Sequence, residues 1–164
     1  MKQLWAPWRM AYIGGETPKE EGCVFCVGEQ TGRDRERMIL KRGRHCFVIM
    51  NKYPYSNGHL LIIPYRHTAD PEELTAEERL ELFDLMVEAR AVLKKTMHPD
   101  GFNVGINLGR CGGAGVAEHM HIHIVPRWEG DTNFMPVFAD VRVIPQHIEA
   151  TCELLREAFA AEER

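Results

Sequence analysis

The stretch HMHIHIVPRW, residues 119–128, has three histidines at every second position. Side chains alternate between the two faces of a β-strand, so His119, His121 and His123 would share one face. The apolar residues between them would share the other face, which suits burial against a core. A helix would instead split the three imidazoles between its faces, and the β-branched residues of the stretch favour a strand. We therefore predict a strand that presents three imidazoles in a row.

Three imidazoles on one face are compatible with two kinds of chemistry. Histidines at His-x-His spacing on a strand can chelate a catalytic zinc ion. Alternatively, a neutral imidazole can attack phosphorus while its neighbours orient it and assist the leaving group. The zinc alternative lacks an adjacent acidic ligand, since Ile124 and Val125 directly follow His123. The glycine-rich stretch RCGGAGVAE, residues 110–118, favours a phosphate ligand because its backbone N–H groups can surround an anion.

The sequence before the histidines predicts short strands separated by turns. Residues 38–51 predict two strands around a turn at 42–44. Residues 59–64, HLLIIP, predict a buried strand that ends at Pro64, and residues 102–109 predict a further strand. Residues 1–35 are irregular, and the polar run TGRDRER at 31–37 predicts a loop.

Two segments have helical patterns. Residues 74–97 predict a long helix, which Thr75 and Glu78 begin at capping-box spacing. Pro145 can begin a last helix over residues 146–163. The predicted core face of the long helix comprises Leu82, Phe83, Met86, Ala89, Val92 and Leu93. Strands combined with one long helix and a C-terminal helix predict an α+β fold with an antiparallel β-sheet.

Length and composition predict one domain in a reducing compartment. The chain has 164 residues, of which 45% are hydrophobic, enough to bury a core. It has no apolar leader and no apolar run of about 18 residues or more, so we expect no membrane partner. Net charge −4, with acids and bases mixed, argues against nucleic-acid binding. Five cysteines, an odd number, are typical of reduced thiols and predict a cytoplasmic protein.

The motif from His119 to Val125, three alternating histidines followed by two apolar residues, resembles that of the histidine triad (HIT) family. In NKYPYSNGHLLIIPYRH, Asn51 lies eight residues before His59, as in the family's strand with an upstream histidine. The resemblance covers about residues 23–130. We expect a single HIT-like domain over the whole chain, with N- and C-terminal extensions that pack on this core. The resemblance also implies nucleotide binding, a homodimer, and cleavage or transfer at an α-phosphate through a nucleotidyl-histidine intermediate.

The resemblance further implies roles for individual residues. His121 would be the nucleophile, His123 would contact the phosphate and the leaving-group oxygen, and His59 would support them from the adjacent strand. Asn51 would lie near the ribose, and Asn107, which precedes the glycine-rich loop, would lie near the phosphates. The attack itself would need no metal ion.

The sequence departs from the family pattern just before the triad. Many members have Gln-Ser four and three residues before the first triad histidine, where this chain has Gly115 and Val116. A side-chain contact to the substrate is therefore absent or replaced by backbone N–H groups, and we assign these two residues and Gly113 to substrate binding. The third triad position is His123 rather than glutamine, unlike the hexose-1-phosphate uridylyltransferase branch. The leaving-group preference stays open.

Cys23 and Cys26 form a C-x-x-C pair in the irregular N-terminal segment. A zinc site usually needs four ligands, and this pair supplies two. His67 follows the predicted HLLIIP strand and His119 begins the triad strand, so both could lie at one end of the sheet. Several HIT proteins and their uridylyltransferase relatives are similar here, which implies a structural zinc ion held by these four residues. The alternative is a pair of reduced thiols with no metal.

Both flanks of the predicted domain core are rich in aromatic residues, namely Trp5, Trp8, Tyr12 and Phe134. These side chains would dock the ends of the chain onto the core, or line a nucleobase pocket or a dimer interface. Arg9 and Arg127 are candidate phosphate contacts. The flanks resemble a bacterial HIT subgroup labelled diadenosine tetraphosphate phosphorylase or fragile-histidine-triad-like. We therefore expect an enzyme acting on a dinucleoside polyphosphate, with an adenosine phosphoramidate hydrolase or a nucleotide-binding module with little turnover as alternatives.

Overall fold

A five-stranded antiparallel sheet forms the centre of the structure, a computed structural model that describes residues 22–28, 31–131, 144 and 146–162. The strands follow the order β1-β2-β3-β5-β4, so β5 lies between β3 and β4. Their bounds are β1 Ile39–Arg42, β2 Cys46–Met50, β3 Leu60–Pro64, β4 Gly101–Ile106 and β5 Ile122–Arg127. This architecture confirms the predicted α+β class with an antiparallel sheet.

Three α-helices accompany the sheet in the described residues: α1 Asp34–Arg37, α2 Ala76–Met97 and α3 Ile148–Glu162. Short 3-10 turns occupy Thr31–Arg33, Pro71–Glu73 and Arg110–Gly112. At the start of α2, the capping box is present in both directions: Thr75 accepts from the Glu78 N–H, and the Glu78 carboxylate accepts from the Thr75 N–H. Helix α3 begins two residues later than predicted, and Pro145 lies outside the described residues.

The predicted loop at residues 31–37 is wrong, because these residues form a 3-10 turn followed by α1. The sequence TGRDRER lacks the apolar periodicity of a helix, but tertiary contacts hold this turn in place. Asp34 accepts two hydrogen bonds from the Arg42 guanidinium, at 2.7 and 2.8 Å. Paired contacts of this kind are strong and directional, so they fix α1 against β1.

Both faces of the central strands are covered, which explains why every residue of β2 and β3 is buried. On one face, Val48 and Ile62 belong to a core cluster with residues of α2 and α3. On the opposite face, Phe47 and Leu61 belong to a second cluster that includes Val27. The sheet therefore separates a helix-covered face from a face covered by the segment around residues 25–27.

The predicted core face of α2 is correct except at Phe83, whose exposure is 59%. Leu85 is buried instead. At 3.6 residues per turn, Leu85 lies close to the direction of Leu82 and Ala89, whereas Phe83 points about 100° away from Leu82. The sheet covers a narrower arc of the helix than the apolar pattern suggests.

The triad strand is shorter than predicted, since β5 begins at Ile122 rather than at His119. Residues 119–121 are nevertheless buried. The Met120 N–H donates to the Thr68 carbonyl at 2.7 Å, so this segment runs beside the chain that follows β3 rather than pairing within the sheet. In the β3–β5 ladder, Leu61 lies opposite His123, which places the imidazoles on the face away from the helices.

Candidate active site and metal centre

His59 and His123 form a hydrogen-bonded pair whose protons the surrounding donors specify. Nδ1 of His59 accepts the Tyr55 backbone N–H at 3.0 Å and lies 3.3 Å from Nδ2 of Asn51. A backbone N–H can only donate, so the neutral His59 ring carries its proton on Nε2. That Nε2 lies 2.9 Å from Nδ1 of His123, which therefore accepts. The remaining proton of a neutral His123 must then be on its Nε2.

Nε2 of His123 is buried and has no hydrogen-bond partner within the described part of the chain. Buried polar groups are nearly always hydrogen-bonded, so an unpartnered N–H marks a position where a ligand can bind. The derived tautomer makes this atom a donor. An electronegative ligand atom, such as a phosphate oxygen, would satisfy it.

In His121 the proton lies on the other ring nitrogen, Nδ1. Its Nδ1 lies 2.9 Å from the backbone carbonyl oxygen of His119. The carbonyl can only accept, so Nδ1 carries the proton and Nε2 keeps its lone pair. Two neighbouring imidazoles, with ring centroids 4.8 Å apart, thus present one lone pair and one N–H.

Burial keeps these imidazoles neutral. Desolvation lowers the pKa of His121, opposed by its hydrogen bond to the His119 carbonyl. The pKa of His123 falls to about 4, first because of burial and second because of repulsion from a protonated His121. A neutral ring at physiological pH is what nucleophilic attack by nitrogen requires.

Two aromatic side chains that the sequence patterns did not single out lie against the triad. The ring centroid of Phe25 lies 5.0 Å from that of His121, and Tyr55 stacks on His123 at 5.8 Å with 17° between the ring planes. Phe25 lies between the two cysteines, and Tyr55 lies four residues before His59. Their proximity to predicted site residues was visible in the sequence, but their orientation was not.

The predicted substrate-binding residues divide between two places. Asn51 lies beside His59, and its Oδ1 accepts the Tyr53 N–H at 2.9 Å. Asn107 instead donates to the Gly113 carbonyl at 3.3 Å and so ties β4 to the glycine-rich loop. No hydrogen bond joins Asn107 or Gly113 to a triad histidine among the described residues.

The other predicted contact residues lie in the glycine-rich loop, at the far end of β5 or outside the described residues. Gly115 is exposed and Val116 half-buried in the loop that leads to His119. Arg127 pairs with Asp131 at the far end of β5, at 2.6 and 2.8 Å. The flanking residues Trp5, Trp8, Arg9, Tyr12 and Phe134 lie outside the described residues.

A second cluster joins the four residues predicted as metal ligands. The ligand atoms of Cys23, Cys26, His67 and His119 all lie within 4.8 Å of one another. Nδ1 of His119 is 3.3 Å from Sγ of Cys23 and 3.9 Å from Sγ of Cys26, and Nδ1 of His67 is 3.4 Å from Sγ of Cys26. The cluster therefore links three segments that are distant in the sequence.

The donor set and its spacing fit a tetrahedral metal ion. Typical Zn–S and Zn–N bond lengths give a sulfur–nitrogen edge of about 3.6 Å in a tetrahedron, close to the distances between these ligand atoms. The Nε2–H of His119 donates to the Pro64 carbonyl at 2.9 Å, which turns the Nδ1 lone pair towards the cysteines. Such a carbonyl contact is the usual way in which a protein orients a metal-binding histidine.

The fold and the row of imidazoles define the class of protein. Residues 33–130 match the HIT domain family, and the chain belongs to that family. The resemblance inferred from the histidine pattern is confirmed. None of the described helices has the length and the apolar character needed to cross a bilayer.

Individual proteins, as well as the family as a whole, are similar to this chain over most of its length. The chain is 37% identical over 166 residues to a protein named AP-4-A phosphorylase from Mycobacterium tuberculosis, and the alignment covers 98% of this chain and 85% of that protein. A crystal structure of a Zn-bound histidine triad family protein from Mycobacterium smegmatis is similar at TM-score 0.67 and 27% identity, covering 87% of this chain and 96% of that one. A hypothetical histidine triad nucleotide-binding protein from Sulfolobus tokodaii is similar at TM-score 0.66 and 26% identity, covering 87% and 95%.

Proposed function

We propose that this protein is a nucleotidyl transferase that cleaves dinucleoside polyphosphates, such as diadenosine tetraphosphate, at an α-phosphate. The observation that carries the proposal is the pair of neighbouring imidazoles, in which His121 presents a lone pair and His123 presents a buried N–H. The similarity to a protein named AP-4-A phosphorylase supports the substrate class.

In the first step, the Nε2 lone pair of His121 attacks the α-phosphorus. The bond between phosphorus and the bridging oxygen breaks, and its electron pair leaves with the departing nucleotide. His123 donates its Nε2–H as a hydrogen bond to that oxygen while negative charge develops there. The leaving nucleotide is a stable phosphate anion, so it needs no complete proton transfer. The imidazolium formed at His121 keeps its Nδ1–H on the His119 carbonyl.

In the second step, an acceptor oxygen attacks the same phosphorus and the phosphorus–nitrogen bond breaks. The electron pair returns to Nε2 of His121, which regenerates the free enzyme. Inorganic phosphate as the acceptor would release ADP, whereas water would release AMP and a proton. We propose phosphate, because the relative from M. tuberculosis carries the name of a phosphorylase.

The other predicted site residues would hold the substrate around this centre. Asn51, beside His59, is proposed to lie near the ribose, and its side chain also supports the His59 tautomer. Asn107 donates to the Gly113 carbonyl and so supports the loop that contains Gly113, Gly115 and Val116. The Gly113 N–H already donates to the Arg110 carbonyl at 3.0 Å, so the backbone N–H groups of Gly115 and Val116 would contact phosphates.

We propose zinc as the metal held by the cysteine–histidine cluster. Two thiolates and two imidazoles form a closed ligand set, which is typical of a structural site and leaves no position for substrate. The ion would hold the segment around Phe25 against residues 119–121, which carry the proposed nucleophile His121. The similar protein from M. smegmatis is a Zn-bound member of the family, which supports the choice of metal.

We further propose a homodimer formed through the outer edge of the sheet. Strand β4 lies at the end of the strand order, and its Val104 and Ile106 are exposed. On α2, Leu80, Phe83 and Val87 form an exposed apolar stripe, with exposures of 48–62%. Among the described residues, β5 is the one strand that pairs with β4, and exposed apolar side chains at a sheet edge and on a helix favour association with another chain. Sedimentation of an Ile106→Lys variant tests this, and an unchanged molecular mass would refute the interface.

We also propose that the whole chain is one domain that works in the cytoplasm without nucleic acid. All five cysteines are unpaired, which fits a reducing compartment. The net charge of −4 offers no general attraction for a polyanion.

Product analysis with diadenosine tetraphosphate tests the proposed reaction. With inorganic phosphate, we expect ADP and ATP from the wild type, and a loss of at least about 1000-fold in His121→Ala. His147→Ala is a matched control. This histidine is exposed just before α3, so the variant should retain activity. AMP and ATP regardless of phosphate would indicate a hydrolase instead. Equal inactivity of wild type and His121→Ala, with retained nucleotide binding, would refute turnover.

A further inference from the structure

Tyr55 contacts both members of the His59–His123 pair. Its backbone N–H donates to Nδ1 of His59 at 3.0 Å. Its ring centroid lies 4.7 Å from that of His59 at a tilt of 48°, and it stacks nearly parallel on His123 at 5.8 Å and 17°. One residue therefore sets the protonation of one imidazole and covers a face of the other.

The covered face matters because the orientation of His123 rests on few contacts. Its Nδ1 accepts from His59, while its Nε2 has no partner among the described residues. Without a neighbour on its flat side, the ring could rotate about its terminal torsion, which is a soft, broad torsion in histidine. Water could then reach Nδ1 and compete with the hydrogen bond from His59.

We propose that Tyr55 is a positioning residue for the transfer step, and that its ring holds His123 with Nδ1 towards His59 and the Nε2–H towards the leaving oxygen. The inference rests on the function proposed above. Tyr55 acts through His123 in this proposal and forms no bond to the reacting atoms.

The loop that carries Tyr55 is held from both ends. Asn51 accepts the Tyr53 N–H at one end. At the other end, Asn57 accepts a hydrogen bond from Thr151 of α3 at 3.1 Å, and both side chains are buried. The placement of the Tyr55 ring over the imidazoles is therefore set by the fold, although 47% of the residue is exposed.

The titratable groups in contact with His123 come from three elements. His121, two residues earlier in the chain, lies beside it with ring centroids 4.8 Å apart, and His59 contacts it from the position just before β3. The phenol ring of Tyr55 covers it from the loop. Since burial is the main cause of the low pKa of His123, removal of the Tyr55 ring should admit water and raise that pKa.

Three variants test the proposal. Tyr55→Ala removes the ring but keeps the backbone N–H, Tyr55→Phe keeps the ring, and Tyr53→Ala removes an exposed ring from the same loop as a control. The readouts are kcat and KM with diadenosine tetraphosphate and phosphate, and the imidazole ¹⁵N shifts of His123 in the free protein across pH.

We expect Tyr55→Ala to lower kcat about tenfold with less than a threefold change in KM, because a misplaced group costs rate rather than binding. The His123 shifts should move towards a mixture of tautomers, and its pKa should rise. Tyr55→Phe should retain kcat within about twofold, since the stacked ring remains. Tyr53→Ala should match the wild type in every readout.

Other results would overturn the proposal. A raised KM with unchanged kcat in Tyr55→Ala would mean that the ring only contacts substrate. A Phe variant as slow as the Ala variant would place the function in the hydroxyl group. If the wild type shows no turnover that depends on His121, the proposed function fails, and the ¹⁵N shifts still decide about Tyr55. Unchanged shifts in Tyr55→Ala would refute the positioning role by themselves.

Discussion

Removal of the proposed zinc ion should triple the number of thiols that react rapidly in the native protein. The five cysteines fall into three environments. Cys46 and Cys152 are buried, and burial raises the pKa of both thiols, that of Cys46 to about 12. Cys111 is exposed in the glycine-rich loop. Cys23 is half-buried and Cys26 is exposed, and both belong to the cysteine–histidine cluster proposed to hold zinc.

The expected counts follow from these environments, because a thiolate that coordinates zinc reacts slowly and a protonated buried thiol hardly reacts. In protein loaded with one equivalent of zinc, one thiol should react rapidly with a colorimetric disulfide reagent, and this is Cys111. A chelator should raise the count to three, and denaturant should raise it to five. The released metal ion can be measured in the same cuvette with a metal-sensitive dye.

Cys111→Ser provides the matched control for this titration. It should lower each of the three counts by one and leave the release of metal unchanged. Three rapid thiols in the zinc-loaded wild type, with no further rise in chelator, would show that the cysteine–histidine cluster does not hold zinc. A count that rises without any release of metal would also contradict the reasoning.

Three further outcomes concern stability. The folded-state pKa of His123, about 4, lies below its ordinary value of 6.5, so the unfolded chain binds more protons between these values, and the melting temperature should fall as pH drops through this range. This decline should be shallower in His123→Gln, and an identical slope would contradict the assignment. Ile62→Ala should lower the free energy of unfolding in urea by about 2–5 kcal/mol because this side chain is fully buried. Leu154→Ala, at an exposed position of α3 outside the proposed dimer surface, should change it by less than about 0.5 kcal/mol. Thr75→Ala should cost about 1 kcal/mol through loss of the α2 cap, and no change in urea would refute that role.

Much of the fold was predictable from local pattern. Thr75 and Glu78 predicted the start of α2, because a capping box satisfies backbone groups within four residues of each other. The apolar run after His59 predicted β3, since a strand with both faces covered is apolar throughout. Errors occurred where a distant partner decided the conformation. Arg42 holds the turn at Asp34. Phe83 is exposed because it points about 100° away from the buried Leu82 around the axis of α2.

The candidate site shows the same division. Spacing alone placed His121 and His123 as neighbours, and it suggested that Cys23 and Cys26 could bind the same metal ion, because both patterns are short. It could not show that Cys23 and Cys26 meet His67 and His119, since that encounter requires segments up to 96 residues apart to meet at one end of the sheet.

The positions of the protons on His121 and His123 depend entirely on tertiary structure. A histidine in a sequence carries no information about which nitrogen holds the proton, because the two tautomers differ little in energy until a partner is present. The His119 carbonyl and the Tyr55 N–H are those partners. The residue pattern therefore establishes the family and predicts which side chains react, whereas only the packed structure decides which ring presents a lone pair and which presents a proton.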